Sequence, residues 1–224
     1  MKLTKRQKTW ANLDTEKVYS LSDAIETLRG YTSKKFDESL EIAIKLGIDI
    51  TKADQNIRGM LSLPNGTGKT VRVAVFTVNS ADEATKAGAD IVGGEDLIEK
   101  VASGEINFDR VIATPDMMPK MSKIARILGP KGLMPNPKLG TVTNNVAEAV
   151  KTAKAGQIEY RAEKKGIIHA GIGKMSFTTD QLVENANALI DQLKKVKPSS
   201  AKGQYILGAS VATTQGPGLK VDVK

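Results

Sequence analysis

Residues 65–70 (NGTGKT) end in Gly-Lys-Thr, the residue types with which a phosphate loop binds nucleotide phosphates and magnesium. A complete phosphate loop has another glycine five residues before Gly68, and Leu63 occupies that position. Such a loop also follows a strand and opens a helix, whereas here the apolar run 71–78 comes next and is typical of a strand. We therefore favour a flexible, glycine-rich linker over an ATP or GTP site.

His169 is the only histidine, and it lies in the apolar stretch 167–172. A hydrolytic triad also needs a positioned serine and a carboxylate, and the sequence has no serine nucleophile elbow. Cysteine is absent, which excludes thiolate catalysis, disulfides and Cys-ligated zinc or iron–sulfur sites. We expect no enzyme activity, no cofactor and no catalytic metal, and His169 to be either a core residue or an RNA-facing donor.

Two other segments have chemistry that suits RNA. Phe36 follows Lys34 and Lys35 directly, and an aromatic ring beside cations can stack on a base or pack on a sugar. Alternatively, Phe36 anchors its loop to the core. Residues 213–218 (TTQGPG) combine hydroxyls with glycines, so the backbone can approach a ribose and threonine can bind a 2′-OH or a phosphate. The alternative is an ordinary tight turn.

The composition is that of a basic globular protein. The 224 residues carry a formal net charge of +8, with 40% hydrophobic and 26% charged residues, and such an excess favours a polyanionic partner. No apolar run approaches the ~20 residues that cross a bilayer. Residues 1–11 are basic but lack the apolar stretch of a secretory signal. We therefore expect a cytoplasmic protein without a membrane partner.

The first part of the chain predicts one helix and two strands. Apolar residues recur at helical spacing over 21–28, with Ser20 as the N-cap and Gly30 as the stop. Residues 40–48 alternate between apolar and polar, which predicts a strand with one exposed face. A second strand is expected over residues 57–63.

The pattern changes in the middle of the chain. Residues 71–78 are almost all apolar, which fits a strand of a parallel sheet covered on both faces. Helix and strand patterns then alternate, as in βαβ units, with helices at 81–87, 95–102, 122–128 and 146–154 and strands at 89–92 and 110–113. The Gly- and Pro-rich residues 129–139 are expected to be irregular.

The last third returns to the first pattern. It predicts, in order, a hairpin of residues 157–161 and 167–172, a helix capped by Thr179, and strands at 204–213 and 219–223. Half-exposed strands at the two ends of the chain can complete one sheet. We therefore predict an α/β protein of two domains, in which residues 67–157 form an α/β domain inserted into a discontinuous α+β domain, residues 1–66 and 158–224.

Charge differs between these two parts. The outer residues hold 21 Lys and Arg against 15 Asp and Glu, a charge of +6, whereas residues 67–157 hold 12 against 10, a charge of +2. The polyanion site is therefore expected on the outer domain. Residues 117–147 contain no acid and are either a second contact surface or a solvated helix face; their five basic residues are Lys120, Lys123, Arg126, Lys131 and Lys138.

Several segments together resemble a known family. They are KFDE at 35–38, KLGID at 45–49, DQNIRG at 54–59, LPNGTGK at 63–69, GPKGLMPNPK at 129–138, GIIH at 166–169 and TTQGP at 213–217. In order and spacing they resemble the L-one family of ribosomal proteins from the bacterial large subunit. The resemblance covers nearly the whole chain.

This resemblance implies a discontinuous RNA-binding domain with an inserted Rossmann-like domain. It further implies that the protein binds large-subunit rRNA in the mobile stalk beside the tRNA exit site, among other ribosome components. Release of deacylated exit-site tRNA and repression of its own operon's mRNA are also implied. None of these roles follows from composition or periodicity.

The resemblance also implies which residues contact rRNA. The strongest contacts are expected at Phe36 and at the turn Thr214-Gln215-Gly216. Further contacts are expected at Lys35, Glu41, Lys164, Lys165, His169 and Lys174. Gln215 is a departure, because the family usually has methionine there, and an amide hydrogen-bonds to a sugar where a thioether packs on it.

Two alternatives belong to other classes of function. A nucleotide-dependent enzyme on the middle domain would bind ATP or GTP. A general RNA chaperone would bind RNA without regard to sequence or shape. An ATP or GTP binding assay tests the enzyme, and RNA binding that ignores sequence and shape favours the chaperone. Co-sedimentation with large ribosomal subunits in high salt is the most informative test of the stalk rRNA-binding protein.

Overall fold

The computed structural model describes residues 4–33 and 35–223, and these fall into two compact units. The first unit comprises the described residues up to Gly68 and those from Ile158 onward, and the second is Lys69–Gln157. Before the chain enters the second unit, the first unit contains α1 (Lys5–Thr9), β1 (Val18–Tyr19), α2 (Leu21–Arg29), β2 (Ser39–Leu46) and β3 (Arg58–Ser62).

The second unit and the return to the first complete the order of elements. The second unit contains β4 (Val73–Phe76), α3 (Ala81–Lys86), β5 (Ile91–Gly93), α4 (Glu95–Ala102), β6 (Arg110–Ala113), α5 (Met118–Met121), α6 (Ala125–Leu128) and α7 (Val146–Lys154). There follow β7 (Gln157–Arg161), β8 (Ile167–Lys174), α8 (Thr179–Lys195), β9 (Ile206–Thr213) and β10 (Gly218–Val221).

A five-stranded sheet forms the centre of the first unit, in the order β1-β10-β9-β2-β8. Strand β2 pairs antiparallel with both β8 and β9, so strands from the two ends of the chain share one sheet, as predicted. The alternation in β2 buries Leu40, Ile42, Ile44 and Leu46 against α2 and α8. Each such side chain contributes roughly 1.5–3 kcal/mol by burial.

The opposite face of this sheet consists largely of small residues. Ala43 of β2 lies beside Ser210 of β9 and His169 of β8, and Glu41 lies beside Ala212 and Gly171. These side chains are half-buried or exposed. The sheet therefore has one face covered by helices and one shallow, accessible face.

The ends of the two helices follow from their capping residues. The Ser20 hydroxyl accepts a hydrogen bond from the Asp23 N–H, and Gly30 ends α2, as predicted. In α8 the N-cap is Thr178, one residue before the predicted Thr179, because Thr178 and Gln181 form a reciprocal capping box. The apolar face of α8 is buried, as its helical spacing indicates.

The predicted hairpin of residues 157–161 and 167–172 is wrong. Its turn forms, with the Gly166 N–H donating to the Glu163 carbonyl at 2.8 Å. Beyond one bridge between Ala162 and Ile168, however, the strands separate: β7 pairs with β3, and β8 pairs with β2. The ladder that β2 provides to β8 is longer than any the hairpin would have formed.

A parallel sheet of three strands, in the order β5-β4-β6, organises the second unit. Alternate residues of β4 enter two separate cores: Ala74 and Phe76 pack with α4, and Val73 and Val75 pack with α7. This explains why the sequence of β4 is continuously apolar. The predicted coverage of both faces is confirmed.

The predicted continuous helix 122–128 is wrong. Residues 122–128 form a 3₁₀ turn at Ser122–Ile124 followed by α6, and the separate helix α5 precedes them. The Ser122 hydroxyl donates to the Pro119 carbonyl at 2.6 Å, and this local bond competes with regular helical bonding. Residues 129–139 are irregular apart from a 3₁₀ turn at Pro137–Leu139. Within the described part of the chain, no helix is long and apolar enough to span a bilayer.

Candidate nucleic-acid interface

Two loops meet at one end of the strands of the five-stranded sheet, where β2 begins and the turn between β9 and β10 lies. We call this place the loop end of the sheet. The Ser39 N–H donates to the Thr214 hydroxyl at 3.0 Å. In return, the Thr214 N–H donates to the Ser39 carbonyl at 3.1 Å. These two bonds join residues 175 positions apart in the chain and place the loop 35–38 beside the turn 213–218.

Phe36 is exposed at the loop end of the sheet. Its relative exposure is 44%, so the interpretation of Phe36 as a core anchor is wrong. Lys35 is also exposed, while its backbone N–H is held by the Ser33 hydroxyl at 3.2 Å. The loop thus presents an aromatic ring and an ammonium group to solvent on a fixed backbone.

The turn at the loop end of the sheet is tight around Gly216. The Gly216 N–H donates to the Thr213 carbonyl at 3.1 Å. A Cβ atom at Gly216 would lie 2.2 Å from the Thr213 hydroxyl oxygen, so a side chain cannot be accommodated without movement. Thr214 and Gln215 are exposed on this turn. Glycine at position 216 is therefore required by the turn itself.

Lys174 lies at the end of β8, and two of the three N–H donors of its ammonium are bonded within the protein. Its Nζ donates to the Asp37 carbonyl at 3.2 Å and to the Ser39 hydroxyl at 3.0 Å. The Asp37 carboxylate in turn accepts bonds from the Ser176 N–H and hydroxyl at 3.0 and 2.8 Å. Lys174 therefore holds the loop of Phe36 in place.

Glu38, which was not predicted as a site residue, is buried beneath the loop end of the sheet. Its side chain is 0% exposed and forms an ion pair with Arg6. Burial raises the pKa of Glu38, but the neighbouring Thr213 hydroxyl, the Arg6 guanidinium and the Ser33 N–H together outweigh burial, so this pKa lies below the usual 4.5. Arg6 also donates to the Gln215 side-chain oxygen.

The other expected contact residues lie on the shallow face of the sheet and at its β8 edge. Glu41 is exposed, and His169 has 54% of its side chain exposed, so the core interpretation of the histidine is wrong. His169 Nε2 is 3.9 Å from the Glu163 carboxylate. Lys164 and Lys165 are exposed in the turn that precedes β8.

Residues 65–70 do not adopt the arrangement of a phosphate loop. The segment after Gly68 has no helix, and β4 begins at Val73. Asn65 and Gly66 are instead fixed by Asn185 of α8, whose side chain accepts from the Asn65 N–H and donates to the Gly66 carbonyl. The segment connects the two units, but its first two residues are anchored to α8, so the predicted flexibility is wrong at Asn65 and Gly66.

The basic stretch of the second unit is not wholly free of acidic partners. Lys120 forms an ion pair with Glu95 of α4 at 2.6 Å, and this hydrogen bond and charge lower the pKa of Glu95. The other four basic side chains are exposed: Lys123, Arg126, Lys131 and Lys138. The cationic surface is therefore smaller than the sequence indicates.

An exposed aromatic ring beside a hydroxyl-bearing turn, on the more basic of the two units, is typical of an RNA-binding protein. The model of the Ribosomal protein L1p/L10e family matches residues 28–217, which is most of the chain. The chain belongs to this family. It is a ribosomal protein that binds rRNA, and the family is structural rather than enzymatic.

Proposed function

We propose that this protein is of the bacterial type and binds the rRNA of the mobile stalk beside the tRNA exit site. The contact surface is the loop end of the sheet. It is formed by Lys35 and Phe36 and by Thr214, Gln215 and Gly216. The observation that carries this proposal is the pair of hydrogen bonds between Ser39 and Thr214, because they hold the aromatic loop and the turn side by side.

The individual groups suit the parts of an RNA strand. Phe36 provides a face for a base or a sugar, and such stacking contributes about 1–3 kcal/mol per base. The Thr214 hydroxyl and the backbone at Gly216 reach a ribose or a phosphate. The Gln215 amide hydrogen-bonds to the sugar where the family's usual methionine packs on it.

A second group of contacts extends onto the shallow sheet face. Lys164 and Lys165 neutralise phosphates, and Glu41 accepts a hydrogen bond from a 2′-OH or a base amino group. His169 donates a hydrogen bond from the same face. Lys174 holds the Phe36 loop through two of its N–H groups, and its third N–H and its charge remain for a phosphate.

We assign the RNA-binding role to the discontinuous domain of residues 1–66 and 158–224. Its larger positive charge and the position of both loops support this assignment. The inserted Rossmann-like domain, residues 67–157, supplies weaker contacts to rRNA through its exposed basic residues. No cofactor or metal takes part in this function.

Two further roles are part of the proposal. On the cytoplasmic ribosome, the stalk with its bound protein assists the release of deacylated tRNA, in contact with other ribosome components. Free protein represses translation of its own operon's mRNA through the same surface that binds rRNA. One shared site explains regulation, because mRNA is then bound only when rRNA is saturated.

Competitive RNA binding tests the proposal. A stalk rRNA fragment and an unrelated RNA of equal length are titrated with the full-length protein at several salt concentrations. We expect the stalk fragment to be preferred at every salt concentration, and the protein to co-sediment with large subunits in high salt. Equal binding of both RNAs would favour a general RNA chaperone.

A further inference from the structure

We propose that helix α1 is an additional wall of the RNA interface, fastened there by Arg6, and that Lys5 and Lys8 bind RNA phosphates. This inference rests on the proposed RNA site, because α1 is anchored to the turn of that site. The helix precedes residue 28, where the family match begins, so the match assigns it no role.

Arg6 joins three separate parts of the site. Its guanidinium donates to the buried Glu38 carboxylate, to the side-chain oxygen of Gln215, and to the Tyr31 carbonyl at 3.3 Å. A guanidinium carries five N–H donors in one plane, so one arginine can bridge several acceptors. The Arg6 side chain is only 29% exposed, which shields the ion pair with Glu38 from solvent.

The helix needs this anchor. It has five residues, and isolated helices shorter than about 12 residues are marginal in water. Its first turn is closed by a reciprocal capping box between Thr4 and Gln7. At its other end, Trp10 packs edge-to-face on Tyr31 with ring centroids 6.4 Å apart, and the Arg6 guanidinium lies 5.9 Å from the Trp10 ring.

The anchor also orients Gln215. Because its side-chain oxygen accepts from Arg6, the two N–H donors of the amide remain for a ligand. A sugar hydroxyl or a phosphate oxygen is a suitable acceptor. Arg6 is therefore a positioning residue at the place where the sequence departs from the family's usual methionine.

Arg6 anchors α1 to the turn, and α1 carries two more cations. Lys5 and Lys8 are exposed, and a separation of three residues puts them on neighbouring positions of the helix surface. No ion pair of either lysine is found among the residues that the structure describes. RNA phosphates that follow the turn past Gln215 would meet both ammonium groups.

Lys5→Ala/Lys8→Ala in the full-length protein tests the phosphate contacts. Each lost contact is expected to reduce the slope of log K against log salt by about 0.7–0.9, which is at least about fivefold in affinity at 0.1 M salt. The matched control is Lys195→Ala/Lys202→Ala, with Lys195 in the last turn of α8 and Lys202 exposed in the loop that follows it. The first turn of α8 follows Ser176, which bonds to Asp37 at the interface, and the 17-residue helix spans about 25 Å.

Arg6→Lys tests the anchor, since lysine keeps the charge but cannot bridge the same acceptors. We expect weaker rRNA binding and a changed Trp10 emission without RNA, and Trp10 is the only tryptophan. In the wild type, RNA binding should itself change this emission. Unchanged emission in both measurements would overturn the placement of α1, and tighter RNA binding by Arg6→Lys would show that α1 competes with RNA.

Phe36→Ala, measured in parallel, distinguishes a failure of the α1 inference from a failure of the proposed RNA site. If Phe36→Ala weakens binding and the Lys5/Lys8 variant binds like the wild type, the inference about α1 is wrong and the site stands. If Phe36→Ala also binds like the wild type, the proposed site is wrong. Equal losses in the Lys5/Lys8 variant and its Lys195/Lys202 control would mean that only net charge matters, which also overturns the inference.

Discussion

Phe36→Ala is expected to weaken rRNA binding while leaving the fold intact. Stacking on one aromatic contributes about 1–3 kcal/mol, which at about 1.4 kcal/mol per factor of ten corresponds to roughly 5- to 150-fold in Kd. The ring is 44% exposed, so its removal forfeits only part of the ~1.5–3 kcal/mol that a fully buried phenylalanine contributes to stability.

The assay is a filter-binding titration with a stalk rRNA fragment, accompanied by thermal unfolding of each variant. Leu207→Ala is a matched control, because Leu207 is also an exposed apolar residue, at 49% exposure. It lies on β9 six residues from Thr213, which is about 20 Å along a strand. A folded Phe36→Ala protein with unchanged affinity, or an equal loss in Leu207→Ala, would refute the reasoning.

Four further outcomes are expected. Gly216→Val should weaken rRNA binding by at least ~1 kcal/mol, because the backbone must approach RNA there and because a Cβ would clash with Thr213; unchanged Kd in a folded variant removes Gly216 from the site. Because the pKa of Glu38 is lowered in the folded state, its ion pair with Arg6 should stabilise the protein above the usual value of 4.5 and progressively less as pH falls through the folded-state pKa. Urea unfolding from about pH 3 to 6 should therefore show less pH dependence in Arg6→Gln than in the wild type, and an identical dependence would contradict the ion pair. Lys69→Ala should leave rRNA binding unchanged, and nucleotide hydrolysis that this change abolished would revive the enzyme alternative. Neutralising the basic residues of the second unit should lower the salt slope for rRNA by roughly 0.7–0.9 per lost phosphate contact and spare operon mRNA, whereas equal losses on both RNAs would rule out this division; the residues are Lys120, Lys123, Arg126, Lys131 and Lys138.

Several elements could be predicted because their signals are local. The helix Glu95–Ala102, the strand Arg110–Ala113 and the helix Val146–Lys154 have the bounds that periodicity and capping predicted. The strand Ser39–Leu46 also followed from its alternation. In each case the apolar period and the end signals lie within about a dozen neighbouring residues, so no distant partner was needed.

Other features depended on partners far along the chain. The two-residue strand Val18–Tyr19 exists because it pairs with β10, and α1 was not predicted because its anchors are Glu38 and Gln215. The separation of β7 from β8 likewise follows from the ladder that β2 provides to β8. A short segment has too few residues for a period of its own, so tertiary contacts decide its structure.

The sequence by itself determined the basic charge, the absence of cysteine and of a serine nucleophile elbow, most of the helices and strands, and the segments shared with the family. Only the tertiary structure decided that Phe36 and His169 are exposed, that Lys174 is engaged within the protein, and that Arg6 reaches Glu38. Alternation along a strand shows which side chains share a face, but whether that face is covered depends on which distant elements pack against it.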